Sequence, residues 1–254
     1  VRLAGQRIDD LPREAMRRIR GKQIGAVFQD PLTSLNPLYT IGRQLTGTIT
    51  THLDLGERAA RSRALELLSE VGIPAAGRRI DSYPHECSGG MRQRVVIALA
   101  LAANPRLLIA DEPTTALDVS IQAQIIALLK RLCRDHGTAV MLVTHDMGVI
   151  AETADRVAVM YAGRIAEIGP VRDVIQAAHH PYTEGLMGSI PTMVERRDRL
   201  IQIEGAMPRL TEIPAGCAFG PRCPKVFARC SSERPELMAT GGPNRAACWL
   251  YDGG

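Results

Sequence analysis

Two carboxylates stand where a short apolar run ends, and their position suggests chemistry on phosphate. Residues 107–110 (LLIA) are followed directly by Asp111 and Glu112. A run of this length predicts a buried parallel strand, and ligands of open α/β sheets gather at the carboxyl ends of such strands. Asp111 suits Mg²⁺, which keeps much of its hydration, while Glu112 can orient or deprotonate a water that attacks phosphorus. An isolated Asp-Glu pair is more often a solvated turn.

A second phosphate-binding feature lies upstream, where Ser88-Gly89-Gly90 precedes the apolar residues 95–103. This order predicts a helix that begins at the glycines and points its first free N–H groups outward. Such a helix start binds anions, the glycines let a phosphate approach closely, and the Ser88 hydroxyl can add a donor. Taken alone, a Ser-Gly-Gly sequence before a helix is usually only a cap.

The order of these segments along the chain narrows the interpretation. SGGMRQR, the apolar strand, DEP and then TALD at residues 115–118 follow one another. This order resembles the ATP-binding cassette (ABC) ATPases, with signature motif, Walker B motif and D-loop in sequence. The resemblance implies an ATPase that uses ATP and Mg²⁺, with Glu112 as a catalytic residue and Asp111 as a Mg²⁺ ligand. It also implies that the nucleotide is contacted by Ser88, Gly89, Gly90, Gln93 and Asp118.

Two further polar residues follow predicted strands, Gln29 after residues 24–28 and His145 after residues 139–143. Gln29 resembles the glutamine of the Q-loop, whose amide can reach both Mg²⁺ and the attacking water. His145 resembles the H-loop histidine, where a neutral imidazole can donate to the γ-phosphate. The resemblance therefore makes both residues catalytic and Gln29 a second Mg²⁺ ligand. Either residue alone would more often be structural.

The resemblance implies an α/β fold, namely a RecA-like ABC ATPase core with a mostly parallel sheet and a helical subdomain at about residues 32–103. Within that subdomain, apolar residues recur at helical spacing over residues 57–71. Alternation over residues 156–168 predicts two antiparallel strands that close the ATPase domain. We therefore assign residues 1–168 to the ABC ATPase domain and residues 169–254 to an irregular, Cys-containing C-terminal extension.

One motif of the family does not occur in these residues. The sequence contains no G-x-x-x-x-G-K-S/T, the loop whose backbone and lysine hold the β- and γ-phosphates. The resemblance places that loop upstream of Val1. We therefore expect that the chain starts inside the ATPase domain and that these residues alone have negligible ATPase activity.

Composition excludes several classes of protein. The chain has 254 residues, of which 45% are hydrophobic and 23% charged, values that are ordinary for soluble domains. No apolar stretch approaches the roughly 20 residues that a membrane-spanning helix needs, and the first residues lack the apolar core of a signal peptide. The net charge is +4 and only three Phe, five Tyr and one Trp are present, which is too few to favour stacking on nucleic acid.

The six cysteines fall into two groups. Cys87 and Cys133 stand alone in apolar surroundings, where cysteine behaves as a small hydrophobic residue. Four others gather near the end of the chain: Cys217, Cys223, Cys230 and Cys248. A cytoplasmic ATPase is not expected to form disulfides, so the grouping favours metal. Zinc sites usually contain close C-x₂₋₄-C pairs, and none occurs here.

The spacing of the late cysteines resembles the cluster-binding tail of some dipeptide and oligopeptide importer ATPases. This resemblance implies a 4Fe-4S cluster held by all four thiolates, since such a cluster needs four thiolates and tolerates irregular loops. Zn²⁺ and free thiols remain the alternatives. A structural role is favoured over electron transfer because this segment is poor in core residues.

Two phrases, FQDPLTSLNP near the start and HPYT at residues 180–183, resemble the oligopeptide and dipeptide importer branch. This resemblance implies an ATP-hydrolysing subunit that powers peptide import at the cytoplasmic face of the plasma membrane. Its implied partners are a second ABC ATPase, identical or paralogous, two transmembrane permeases and an external substrate-binding protein, with no nucleic acid.

Two alternative functions remain from the sequence. One is a soluble ABC ATPase that acts on nucleic acid or the ribosome, although no coiled coil or second cassette is visible. The other is a non-catalytic partner subunit, which the presence of both Glu112 and His145 disfavours.

Overall fold

The structure is a computed structural model that describes residues 1–115, 117–189 and 202–252. Ala116 of the predicted D-loop lies outside the described residues. The chain divides into two compact units, Val1–His145 and Asp146–Gly254. This division lies earlier in the chain than the domain boundary expected at residue 168, which stays a prediction.

The first unit contains a small hairpin and a parallel sheet. The hairpin pairs β1 (Arg2–Leu3) with β2 (Gln6–Arg7). The sheet has three strands in the order β3-β4-β5, and both pairings are parallel. Its strands are β3 (Ile24–Val27), β4 (Leu107–Asp111) and β5 (Ala139–Val143). The three predicted strands are thereby confirmed, and their carboxyl ends lie at one edge of the sheet.

Seven helices complete the first unit among its described residues. They are α1 (Arg13–Ile19), α2 (Pro31–Ser34), α3 (Ile41–His52), α4 (Glu57–Glu70), α5 (Ala76–Arg79), α6 (Gly89–Leu101) and α7 (Val119–Asp135), with a 3₁₀ turn at Pro84–Glu86. The helix predicted over residues 57–71 is α4, and the apolar face of α7 is buried through Ile125, Leu128, Leu129 and Leu132.

One apolar core holds α3, α4, α6 and α7 against the sheet. Its fully buried side chains include Leu45, Leu68, Ile97, Leu108 and Ile125. Cys87 and Cys133 belong to the same core, as their apolar surroundings predict, and burial raises the pKa of the Cys133 thiol to about 11. Both residues therefore act as small hydrophobic side chains.

The second unit is built on a four-stranded antiparallel sheet in the order β6-β7-β9-β8. Its elements are α8 (Met147–Thr153), β6 (Arg156–Tyr161), β7 (Arg164–Pro170), α9 (Val171–Gln176), α10 (Pro181–Gly188), α11 (Ala228–Ser232), β8 (Met238–Ala239) and β9 (Arg245–Ala246), with 3₁₀ turns at Leu210–Glu212, Gly220–Arg222 and Trp249–Tyr251. The predicted hairpin is β6–β7, and its turn residues Ala162 and Gly163 have φ of 46° and 77°, as a tight hairpin turn requires.

The extension thus contributes β8 and β9 to a sheet that begins in the predicted ATPase domain. Tyr182 and Phe219 of the extension pack against each other and against Tyr161 of β6, with ring centroids 4.7–5.5 Å apart. Within the described ranges, no helix combines the length and apolar character that crossing a membrane would need.

Candidate functional site

The sheet edge of the first unit brings together three residues that the sequence singled out. Gln29 follows β3, Glu112 follows β4 and His145 follows β5. Because these strands are adjacent and parallel, side chains just beyond their carboxyl ends meet, which is where α/β sheets bind ligands.

Glu112 is the centre of this cluster. The amide of Gln29 donates to Glu112 Oε2 at 3.2 Å, and His145 Nδ1 lies 3.2 Å from Glu112 Oε1. The Thr115 hydroxyl also donates to Glu112 Oε2, at 2.8 Å. Both carboxylate oxygens are therefore held by neighbours from three separate segments.

The backbone and charge of Glu112 are both unusual. Its φ is +43°, a left-handed conformation that non-glycine residues adopt at some cost. The hydrogen bond from Thr115, and then that from His145, lower the pKa of the Glu112 carboxyl. Glu112 is thus an anion at neutral pH, ready to orient a water or accept its proton.

Thr115 is a contact that the sequence analysis missed. It stands three residues after Glu112 in a turn where its N–H also donates to the Glu112 carbonyl at 3.1 Å. Ser and Thr hydroxyls hydrogen-bond to nearby residues in turns. A threonine three residues after a carboxylate is therefore the sequence signal that would have identified Thr115.

The two predicted acidic residues beside this cluster are solvent-accessible. Asp111 ends β4 and is exposed, so its carboxylate is free to meet a hydrated Mg²⁺. Asp118 is exposed as well and precedes the first residue of α7. Across the ranges that the structure describes, no group of three or more His, Cys, Asp or Glu side chains is arranged to hold a metal ion. The Mg²⁺ ligands therefore stay predictions.

The predicted anion site at the start of α6 has the expected local geometry. Ser88 is the N-cap of the helix, and its hydroxyl oxygen accepts a hydrogen bond from Met91 N at 3.3 Å. Ser88 is exposed, and the glycines that follow it are partly exposed. A side chain at Gly90 would meet Ile121 at 3.3 Å, so α6 starts close against α7. Ser88 and the two glycines at the helix start are thus accessible to solvent, although Met91 N–H is already bonded to Ser88.

Gln93 does not share that outward face. It lies one helical turn after Gly89, its side chain is only 1% exposed, and its amide nitrogen has no hydrogen-bond partner among the described residues. The face of α6 that carries Gln93 also carries Val96 and Ile97, which belong to the core. The packing therefore does not bring Gln93 to the surface where a nucleotide would bind, and the predicted contact has no support from its position.

The second unit brings the four late cysteines to one cavity. Cys217, Cys223, Cys230 and Cys248 all line it, together with His180 and Phe219. Backbone hydrogen bonds connect three of these cysteines. Cys217 N donates to Cys230 O at 2.8 Å, and Gly220 joins Cys217 to Cys223, since Gly220 N donates to Cys217 O at 2.9 Å and Cys223 N donates to Gly220 O at 3.1 Å. The fold thus brings the four cysteines to one cavity, but in the described part of the chain no three or more His, Cys, Asp or Glu side chains are placed to hold a metal ion, so the cluster stays a prediction.

The thiols of the cavity influence one another. Burial raises the pKa of Cys217, Cys223 and Cys248, and the neighbouring cysteines raise it further. Arg234 beside Cys217 and Lys225 beside Cys223 act in the opposite direction. Without a bound cation, burial thus favours the neutral thiols of Cys217, Cys223 and Cys248, whereas a cation would favour their thiolates.

His180 is a buried residue of this cavity whose charge depends on folding. Burial lowers its pKa from 6.5 to about 4, although Glu167 and a backbone hydrogen bond with Ala247 oppose the shift. The folded protein therefore binds a proton at His180 more weakly than the unfolded chain does. The resulting contribution to the free energy of unfolding is complete above pH 6.5 and is lost as the pH falls towards 4. From the size of the shift, we expect the metal-free protein to lose roughly 3 kcal/mol of stability in this window.

Urea denaturation at several pH values tests this expectation. Trp249, the single tryptophan, lies in the same unit and reports on its unfolding. The stability difference between wild type and His180→Gln should shrink by about that amount between pH 7 and pH 4, because glutamine does not titrate. Parallel stability curves for the two proteins would show that His180 does not titrate as described.

Comparison with known families gives matches in both units. Residues 1–115 match a model described as "ABC transporter", and residues 166–230 match one described as "Oligopeptide/dipeptide transporter, C-terminal region". The oligopeptide transport ATP-binding protein AppD of Bacillus subtilis is 48% identical, over 92% of this chain and 72% of the relative. A putative peptide import ATP-binding protein of Brucella melitensis is 51% identical, over 96% of this chain and 75% of the relative.

Solved structures give a consistent match. The dimeric ATP-binding cassette MJ0796, in a post-hydrolysis state with ADP and Pi, superimposes with a TM-score of 0.60 at 32% identity. The match covers 67% of this chain and 72% of the cassette. This chain thus shares the fold of an ATP-binding cassette whose structure was determined with ADP and Pi bound.

Proposed function

Because this chain belongs to the oligopeptide/dipeptide branch of the ABC transporter ATP-binding subunits, we propose that it hydrolyses ATP to power the import of oligopeptides or dipeptides. The observation that carries the proposal is the cluster around Glu112, where Gln29, Thr115 and His145 hold an ionised carboxylate at the sheet edge. That arrangement provides a base and its orienting groups.

In this proposal each residue has a separate task. Glu112 accepts the proton of the attacking water, and Gln29 orients this water and would help to hold Mg²⁺. His145 donates to the γ-phosphate through the ring nitrogen that does not face Glu112. Asp111 would hold Mg²⁺, which would neutralise part of the charge on the phosphates. Thr115 keeps Glu112 ionised and oriented.

The exposed start of α6 serves a different nucleotide. We assign Ser88, Gly89 and Gly90 to the ATP held by a facing ATPase subunit, identical or paralogous, whose own Ser-Gly-Gly segment completes the site of this chain. The supporting observation is that the N-cap and both glycines are accessible on the surface of the first unit. Asp118, also exposed, belongs to the same interface.

This assembly would act at the cytoplasmic face of the plasma membrane. The ATPase pair docks there on two transmembrane permeases, and an external binding protein delivers the peptide. The support comes from relatives whose names describe oligopeptide transport and peptide import.

Peptide uptake by the native host tests the transport function. Deleting the gene should reduce accumulation of a labelled tripeptide or dipeptide to background, while uptake of the free amino acid stays unchanged. Which of the two peptides is lost identifies the preferred length. Undiminished uptake of both peptides, in a strain without a second peptide importer, would contradict the proposed function.

We further propose that the four cysteines hold a 4Fe-4S cluster with a structural role. Their number and type fit, since a cubane takes four thiolates. All four cysteines line one cavity of the second unit. Lys225 and Arg234 would offset part of the negative charge of four thiolates.

Anaerobic purification tests the cluster. We expect brown protein with about four irons and four sulfides per chain, and Cys223→Ser should remove the colour. Cys133→Ser is the matched control, because Cys133 is buried in the core of the first unit, and it should leave the iron content unchanged. Colourless wild-type protein with one zinc per chain would replace the cluster by the zinc alternative.

A further inference from the structure

A buried carboxylate in the second unit has no task in ATP hydrolysis. Glu167 lies on β7 and is 0% exposed, and a buried charge is costly unless it is fully hydrogen-bonded. Its oxygens accept from the backbone N–H of His179 at 3.0 Å and of His180 at 2.9 Å, and from the Asn244 amide at 3.4 Å. Glu167 therefore ties two chain segments to one strand.

The first of these segments contains His180, which in turn contacts the four-cysteine cavity. His180 Nδ1 accepts from Tyr182 N at 3.0 Å and so caps α10. The ring also hydrogen-bonds the backbone of Ala247 and packs 5.8 Å from the Phe219 ring. Ala247 immediately precedes Cys248, so the imidazole holds the chain next to a cavity thiol.

The second segment is the one that carries Cys248. Asn244 precedes β9, and β9 pairs with β7 so that Ala246 lies opposite Glu167. Ala247 N then donates to Ala166 O at 2.8 Å. Beyond Cys248, the Tyr251 hydroxyl donates to the His179 carbonyl at 3.0 Å. The segment that carries Cys248 therefore contacts His179, His180 and Glu167.

The position of Cys248 depends on such contacts between chain segments more than the positions of the other three cysteines do. Cys217, Cys223 and Cys230 come from one short stretch and are joined by its own backbone hydrogen bonds. Cys248 arrives from a separate segment after β8 and β9, which are only two residues each. Its position therefore depends on contacts outside that stretch, including Trp249, whose indole N–H donates to Glu233 O at 3.0 Å.

We propose that Glu167 and His180 are positioning residues that place Cys248 in the cavity that Cys217, Cys223 and Cys230 also line, and so complete the set of four thiols. This inference rests on the proposed function of the four cysteines, but the placement of Cys248 can be measured without any cluster. The residues act through the backbone of the Cys248 segment rather than by contact with a bound group.

The test compares thiol alkylation in wild type, His180→Ala and Glu167→Gln, all purified with the full chain, reduced and free of metal. Mass spectrometry of the digested protein gives the alkylation rate of each cysteine separately. We expect the variants to raise the rate at Cys248 by about tenfold or more, because its segment opens locally, and to change Cys217 and Cys230 by much less. Lys225→Met is the matched control: Lys225 lines the cavity and influences Cys223, so its loss should change Cys223 and not Cys248.

A second readout uses the reconstituted protein. His180→Ala should show the same iron content and absorption spectrum as Cys248→Ser, because both lack a placed fourth thiolate.

If the wild type holds no iron, the cluster proposal fails while the alkylation rates still decide the placement of Cys248. Unchanged alkylation at Cys248, or an equal rise at all four cysteines, would overturn the positioning role. If His180→Ala does not fold, the milder Tyr251→Phe should raise the Cys248 rate selectively, and no rise in that variant would also overturn it.

Discussion

Glu112→Gln should lower steady-state ATP turnover by about a hundredfold to a thousandfold, because a general base in the transition state contributes that much. Glutamine keeps the size of the side chain and can still accept from Thr115 and Gln29, but it cannot take a proton. ATP affinity should change by less than about threefold, since Glu112 acts on the water and not on the nucleotide in the ground state. The measurement is phosphate release by the assembled transporter, with nucleotide binding measured in parallel.

Glu14→Gln provides the matched control for this substitution. Glu14 is an exposed carboxylate on α1 whose nearest cation, Arg17, is 3.8 Å away, so its loss should leave turnover unchanged. Turnover by Glu112→Gln close to that of the control would remove Glu112 from the proposed mechanism, whatever the other members of the cluster do.

Much of the fold could be predicted because its elements carry strong local signals. β4 is an apolar run followed by two carboxylates, and α6 begins at an N-cap serine followed by glycines. In the β6–β7 hairpin, β6 alternates between exposed and buried residues along its whole length. In contrast, β8 and β9 are two residues each, and a pattern with period two cannot be recognised in two residues. They exist because β7 offers an edge for pairing.

Residues of the candidate site likewise differ in whether the local sequence or only long-range contacts reveal their position. Gln29, Glu112 and His145 each follow a strand, so their meeting followed from parallel pairing. The nucleotide contact of Gln93 was predicted from its place in the signature motif, whereas the packing of α6 buries its side chain, so that contact stays a prediction. Glu167 was missed for a related reason: on β7 it looks like an ordinary strand residue, and only its contacts with Asn244 and the histidine backbone show why it is buried.

Ser88→Arg should reduce turnover at the facing subunit's nucleotide by about a hundredfold, while ATP still binds to the subunit that carries the substitution. The arginine would fill the space at the start of α6 that the γ-phosphate needs. The loss of a site that stabilises an anion lowers turnover by about this factor. In mixed pairs that contain one substituted subunit, photolabelling with a reactive ATP analogue locates the nucleotide. Trapping after one round of hydrolysis then shows which of the two sites has turned over.

Ser88→Ala separates this effect from the loss of the helix cap. Alanine removes the acceptor for Met91 N, which costs about 1 kcal/mol of helix stability, but it adds neither bulk nor charge. It should therefore lower the melting temperature slightly and keep more turnover than the arginine variant. If Ser88→Arg impairs only the nucleotide site of its own subunit, the helix start does not serve the facing subunit, and the shared site that we propose for the ATPase pair is wrong.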